Sequence, residues 1–332
     1  MNENYVGHHS QYYGVEEHRL IGGKGDGMRL FEVRNGKGLE FTVSADRCAD
    51  ISRLSFCGNN YGFFSPCGYV ASQYYSETDA NFTKSFTAGF LTTCGLTTVG
   101  TPCNDEGEVL PLHGTISTTP AEHIYYTIDE EAINIYATIS DATLFGRKLT
   151  LKRKISCSRH KNTIKITDTV RNNGTMPSPL MLLYHMNMGY PLLDENAILH
   201  IPSTKVIPRN EHAKTGLNQW DKLITPKQDF EEQCYYHSFE DKGFAALFQP
   251  AFEKGIAISF DTKELDCFVE WKMMGQTDYV LGLEPGNCLP DGRDVMRERG
   301  LLKYIAPKEE KTYNVTIEMI ENSAQWRMIN TK

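Results

Sequence analysis

Three ionisable residues, His113, His185 and Glu284, sit inside segments that are otherwise apolar or shaped by glycine. His185 lies within Leu180 to Pro191, a stretch too apolar for a solvated loop. In an extended chain Leu183, His185 and Asn187 share one face, so two polar side chains point the same way from a strand whose neighbours are buried. That pattern suits a proton-transfer group beside a binding group, or a core histidine satisfied by a backbone carbonyl. Glu284 follows Tyr279-Val280-Leu281-Gly282-Leu283 and precedes Pro285-Gly286-Asn287, which puts a carboxylate at the end of an apolar strand where a glycine turn begins. Desolvation there raises a carboxyl pKa toward the range useful to a general base, unless a salt bridge to Arg293 or Lys272 makes the residue structural. His113 lies between Pro111 and Gly114, so a turn sets its backbone.

Other polar side chains are suited to a hydroxyl-rich ligand. Arg47, in Asp46-Arg47-Cys48-Ala49-Asp50-Ile51, and Arg147, in Leu144-Phe145-Gly146-Arg147, carry planar forks that can bond two adjacent hydroxyls. Glu270-Trp271-Lys272 adds a carboxylate, an ammonium and a flat indole on which a ring can rest. Each of these residues is equally at home in a surface or structural role.

Several chemistries are excluded by what is missing. The sequence has no Gly-x-Ser-x-Gly elbow, no Walker loop and no paired zinc-type histidines, so no metal or nucleotide cofactor is expected. Gly22 to Gly27 is glycine-rich but lacks dinucleotide spacing, and reads as a flexible loop. A net charge of -8, with no basic block, argues against nucleic acid as a partner. No run approaches the roughly 18 apolar residues of a membrane span. Met1 to Gly14 is polar and aromatic, unlike a secretory leader. The nine cysteines are scattered singly, as in a protein kept reduced in the cytoplasm.

The elements that must position these residues are strands. Leu39 to Val43, Ile133 to Ile139, Lys148 to Ile155, Thr163 to Val170, Ala245 to Phe248, Gly255 to Ser259, Cys267 to Lys272 and Tyr313 to Ile320 are rich in β-branched and aromatic residues and are bounded by turn formers. Thr163-Ile164-Lys165-Ile166-Thr167 alternates strictly, the signature of a half-buried antiparallel strand. Asn35-Gly36 predicts a tight hairpin, and Asn172-Asn173-Gly174 closes the strand ending at Val170. Two stretches depart from this meander, Ser65 to Pro111 and His185 to Gln228, and these are the expected functional loops. With 40% hydrophobic and 23% charged residues, no repeat and no Pro/Ser linker, the 332 residues predict one folded domain, 1–332, with residues 1–20 as an N-terminal extension. Exposed sheet edges in such a fold are commonly covered by a homodimer.

Arg47-Cys48-Ala49-Asp50-Ile51, Gly89 to Leu96, Leu112-His113-Gly114, Leu183 to Leu193, Glu270-Trp271-Lys272 and Leu283-Glu284-Pro285 together resemble an aldose 1-epimerase-like family of largely unknown function within the galactose mutarotase superfamily. The resemblance runs from about Leu30 to Ile317. It implies an all-β fold, a large antiparallel β-sandwich of the galactose-mutarotase type, and an isomerase that interconverts the anomers of a small-molecule sugar. It places the catalytic roles on His113, His185 and Glu284: Glu284 deprotonates the C1 hydroxyl, His185 protonates the ring oxygen, and His113 bonds the ring oxygen or a neighbouring hydroxyl. The alternative on the same fold is a non-catalytic carbohydrate-binding or sensing protein. Galactose mutarotases proper carry Asn-His-x-Tyr-Phe-Asn around the acid histidine, where this chain has Tyr184-His185-Met186-Asn187-Met188, so aldoses, ketoses and sugar acids all stay open as substrates.

Overall fold

The computed structural model describes residues 3–76 and 81–330. Every strand read from the sequence is present, one to three residues longer at one end or at both. In the strand Thr163–Asn172 buried and less buried positions alternate along its length, as the period-two pattern requires. At the predicted hairpin the Asn35 side chain accepts hydrogen bonds from the Lys37 and Leu39 amides, while Gly36 takes a left-handed φ of 76° that a larger side chain would resist.

The strands assemble into three large sheets. An eight-stranded sheet runs in the order His123–Ile128, Ala132–Ala142, Lys148–Ser158, Thr163–Asn172, Glu310–Ile320, Lys254–Asp261, Lys242–Gln249 and Ile198–His200. A six-stranded sheet runs Lys205–Pro208, Gln233–Ser238, Cys267–Met274, Tyr279–Gly286, Met181–Met188 and Leu91–Leu96. A five-stranded sheet runs Gly14–Arg19, Arg29–Arg34, Leu39–Ser44, Asp50–Phe56 and Asn59–Asn60. Neighbours within these sheets pair antiparallel. Apolar residues from all three meet in one cluster: Ile135, Leu151, Ile166 and Val315 from the first sheet, Leu182, Tyr184, Leu281 and Phe268 from the second, Phe31, Leu39 and Ile51 from the third.

At the meeting point the core is ionic. Arg153, fully buried, binds both oxygens of Asp168 through Nε and Nη2, binds Asp50 through Nη1 at 2.6 Å, and donates also to the Cys48 carbonyl and Thr93 Oγ1. Thr93 in turn donates its amide and hydroxyl to Asp50, and the Tyr184 hydroxyl donates to Asp168. Every one of these groups has its partners, which is the condition under which buried charge is tolerated. Because Thr93 and Tyr184 belong to the six-stranded sheet, Asp50 to the five-stranded and Arg153 and Asp168 to the eight-stranded, the network fixes the sheets against one another.

Two expectations change. The glycine-rich stretch is not an open loop: Gly23–Gly25 forms a 3-10 turn, closed by the Gly22 amide donating to Asp26 Oδ1 at 2.6 Å. The expected N-terminal extension contains Gly14–Arg19, which pairs along its whole length with Arg29–Arg34. The described helices are short, none exceeding the eight residues of Ser323–Asn330, and none is long and apolar enough to cross a membrane.

Candidate active site

The six-stranded sheet buries one face in the main core and turns the other toward a cavity of about 580 Å³. Alternation sorts its residues. In Met181–Met188, Leu182, Tyr184 and Met186 enter the main core, so His185 faces the cavity. In Tyr279–Gly286, Leu281 and Leu283 enter the core, while Val280 and Glu284 line the cavity. In Cys267–Met274, Phe268 and Met274 enter the core, while Val269, Trp271 and Met273 line the cavity. Antiparallel register sets Glu284 opposite Val269 and Trp271 opposite Gly282. Gly282 leaves the carboxyl its place: a Cβ there would lie 2.2 Å from Glu284 Oε1 and would push the carboxyl aside.

His113 reaches the cavity from a turn. Its φ of 59° lies in the left-handed region, unusual for a histidine, and is held by hydrogen bonds on both sides, from its own amide to the Gly100 carbonyl and from the Gly95 amide to its carbonyl. Gly114 lets the turn close, since a Cβ there would lie 2.3 Å from the Gly95 carbonyl oxygen.

The rings of His113 and His185 lie 5.6 Å apart and edge-on. Around them stand Phe82, 5.1 Å from His113, Phe86, 5.5 Å from His185, and Trp271, 5.2 Å from His185. His185 Nδ1 faces Glu284 Oε1 at 3.3 Å but outside hydrogen-bond geometry. His113 Nδ1, His185 Nδ1 and Glu284 Oε1 are all buried without a hydrogen-bond partner among the described residues. Burial of the charged form dominates their titration. It lowers His113 to about 3 and His185 to about 4, and it pushes the Glu284 carboxyl well up, with the Glu232 charge adding to the rise and Arg209 opposing it. At neutral pH both histidines are therefore neutral, and the Glu284 carboxyl holds its proton more tightly than an exposed carboxyl does. Neither salt bridge considered for Glu284 forms: Arg293 binds Asp105 and Glu108, and Lys272 binds backbone carbonyls.

Of the binding candidates, Trp271 lines the cavity and donates its indole N–H to Glu232 at 2.6 Å. The others lie elsewhere. Arg47 is buried beneath the loops and donates to the carbonyls of Ser117, Val70 and Ser85. Arg147 binds Asp141, Glu108 and Thr115 at a hairpin away from the cavity. Glu270 and Lys272 point from the opposite face of the Trp271 strand, Glu270 toward His237 and Lys272 toward the carbonyls of Gln219, Trp220 and Lys222. Asn187 is buried next to His185 and donates to the His185 carbonyl rather than entering the cavity. Arg209, which the sequence reading passed over, does line the cavity; its Nη2 donates to Thr101 Oγ1 and the Pro290 carbonyl and its Nε faces Asp291 at 3.3 Å. Its signal was available: it is the only arginine between Arg171 and Arg293, and it falls in the stretch set apart as a functional loop. Among the described residues no three His, Cys, Asp or Glu side chains gather as a metal site.

The family model described as a domain of unknown function (DUF4432) matches residues 25–319. The chain belongs to the DUF4432 family. No curated protein matches this DUF4432 chain in sequence. Among solved structures, a Klebsiella pneumoniae protein provisionally named an aldose 1-epimerase superposes with a TM-score of 0.90 at 25% identity, covering 96% of this chain and 86% of its own. A galactose mutarotase-like protein from Clostridium acetobutylicum superposes at 0.66 with 14% identity, over 94% of this chain and 99% of its own. A galactose 1-epimerase from Lactobacillus acidophilus superposes at 0.63 with 12% identity, over 92% and 98%. The DUF4432 chain thus has the galactose-mutarotase-like all-β fold expected from its motifs.

Proposed function

We propose that this protein binds a sugar in the cavity beneath Trp271 and interconverts its anomers. The observation that carries the reading is the convergence of His113 Nδ1, His185 Nδ1 and Glu284 Oε1, all buried and unpartnered, at one end of a cavity large enough for a small molecule. Buried polar atoms are normally paired, so a set left open together is best understood as awaiting the hydroxyls and ring oxygen of a hemiacetal.

The chemistry needs one proton shared between two groups. Burial favours that proton on Glu284 over His185; transfer to His185, across a contact that tightens when substrate aligns it, yields the carboxylate and imidazolium the reaction uses. The Glu284 carboxylate takes the proton of the C1 hydroxyl, the imidazolium gives its proton to the ring oxygen, and the bond from C1 to the ring oxygen breaks as C1 becomes a carbonyl. Both groups end neutral, the state their burial favours. Rotation about C1–C2 presents the other carbonyl face, and the same transfers run backward to close the ring. His113, neutral, holds the ring oxygen or an adjacent hydroxyl.

Saturation-transfer NMR of anomer exchange across a panel of aldoses, ketoses and sugar acids tests this. The intact protein is expected to accelerate exchange of at least one sugar, and Glu284→Gln or His185→Asn to lose about 10²–10⁴ of that acceleration. Binding without acceleration of any sugar would make the protein a sensor or carrier instead.

A further inference from the structure

We infer that the cavity selects an uncharged reducing sugar whose body away from C1 is poor in hydroxyls, a 6-deoxyhexose being the simplest example. The inference rests on the anomer-exchange reading for which end of the sugar lies at His185. It concerns the rest of the cavity.

Among the described residues that line the cavity, the buried polar atoms without a partner are those of His113, His185 and Glu284. Moving away from Glu284 along its strand, the cavity-facing positions become Gly282 and then Val280, while the paired strand contributes Val269, Trp271 and Met273. From Glu284 to Val280 this wall spans four residues, about 13 Å at strand rise, longer than one sugar ring. Phe82 and Phe86, stacked on each other at 4.9 Å, add apolar surface beside His113 and His185. Three of the polar side chains that reach the cavity already have partners. Ser65 donates to the Phe86 carbonyl, Arg209 is held by Thr101, Pro290 and Asp291, and Glu232 accepts from Trp271.

A hydroxyl pressed against such a wall gives up its water and gains no partner, which costs affinity. A methyl at the same position gains the contact without that cost. Charge on the sugar is disfavoured as well. The exposed charged residues lining the cavity, Glu232 and Asp278, are both acidic, and the cation Arg209 is matched by Asp291.

Calorimetric titration of the full chain with matched sugars tests the inference: galactose against 6-deoxygalactose, mannose against 6-deoxymannose, glucose against 6-deoxyglucose, each beside its hexuronate. At least one 6-deoxy sugar is expected to bind about 10- to 100-fold more tightly than its hexose, and the hexuronate most weakly. Met273→Gln, which places an amide on the wall, is expected to narrow that gap to a few-fold while leaving the fold's melting temperature near that of the wild type. Hexoses that bind as tightly as their 6-deoxy partners, no binding by any 6-deoxy sugar, or a hexuronate that binds most tightly would each overturn the inference. Titration reads affinity alone, so a 6-deoxy preference without anomer exchange removes the isomerase, whereas exchange without the preference removes the selectivity.

Discussion

Tyr184 and His185 are adjacent in one strand, yet they enter buried polar clusters built on opposite principles. On the core side Tyr184 joins Arg153, Asp50, Asp168 and Thr93, where each donor meets an acceptor and opposite charges lie 2.6 Å apart. On the cavity side His185 joins His113 and Glu284, which face one another with nitrogen and oxygen atoms left unpartnered. The first arrangement spends its hydrogen bonds on joining three sheets. The second withholds them, at a cost of desolvated polar atoms that a purely structural site would not carry. Closeness in sequence and equal burial therefore say little about role; the balance of donors and acceptors says more.

Breaking the closed cluster should produce the largest effect. Arg153→Met strands Asp50 and Asp168 without their cation and is expected to cost about 3–5 kcal/mol of stability by chemical denaturation. Glu284→Gln in the open cluster should leave the unfolding midpoint nearly unchanged; an equal loss in both would mean that Glu284 is structural too. A smaller effect, on rate alone, is expected from Gly282→Ala. Its methyl would displace the Glu284 carboxyl, and a misplacement of about 1 Å costs on the order of 10²-fold in anomer exchange. Unchanged exchange would remove Glu284 from the chemistry.

The gentlest probe is pH. The proposed reaction needs one proton on the Glu284–His185 pair, so exchange should fall on the acid side as the pair gains a second proton near pH 4, and on the alkaline side above the raised Glu284 value. Stability carries a related signature. Both histidines titrate lower in the folded chain than their unfolded value of 6.5, so the unfolded chain binds more protons below that pH and stability drops as pH falls from about 6.5 toward 3. His113→Asn should flatten that decline in a series of melting curves without changing the closed cluster.

The sheets were legible because their residues alternate: Thr163–Asn172 could be read directly from its period of two. His185 and Glu284 were legible because an ionisable side chain in an apolar strand must either be paired or be used. Glu270 and Lys272 were misplaced by the same rule left unapplied, since neighbours of a cavity-facing Trp271 point to the other side of the sheet. Arg47 and Arg147 could not be sorted from the sequence, because a guanidinium that gathers backbone carbonyls or carboxylates looks, in one dimension, like one that waits for a ligand. Arg209 reaches its place only through tertiary packing: its guanidinium is held by Thr101, Pro290 and Asp291, about a hundred residues before it and eighty after it.

The antiparallel register that puts Glu284 opposite Val269 also limits how this protein can vary. Removing or adding one residue within Tyr279–Gly286 would turn Leu283 into the cavity and Glu284 into the main core, exchanging the two faces in one step. The cavity surface can be rewritten side chain by side chain, but its wall can be shortened or lengthened only in pairs of residues, so descendants of this sequence are free to change the cavity's chemistry far more readily than its depth.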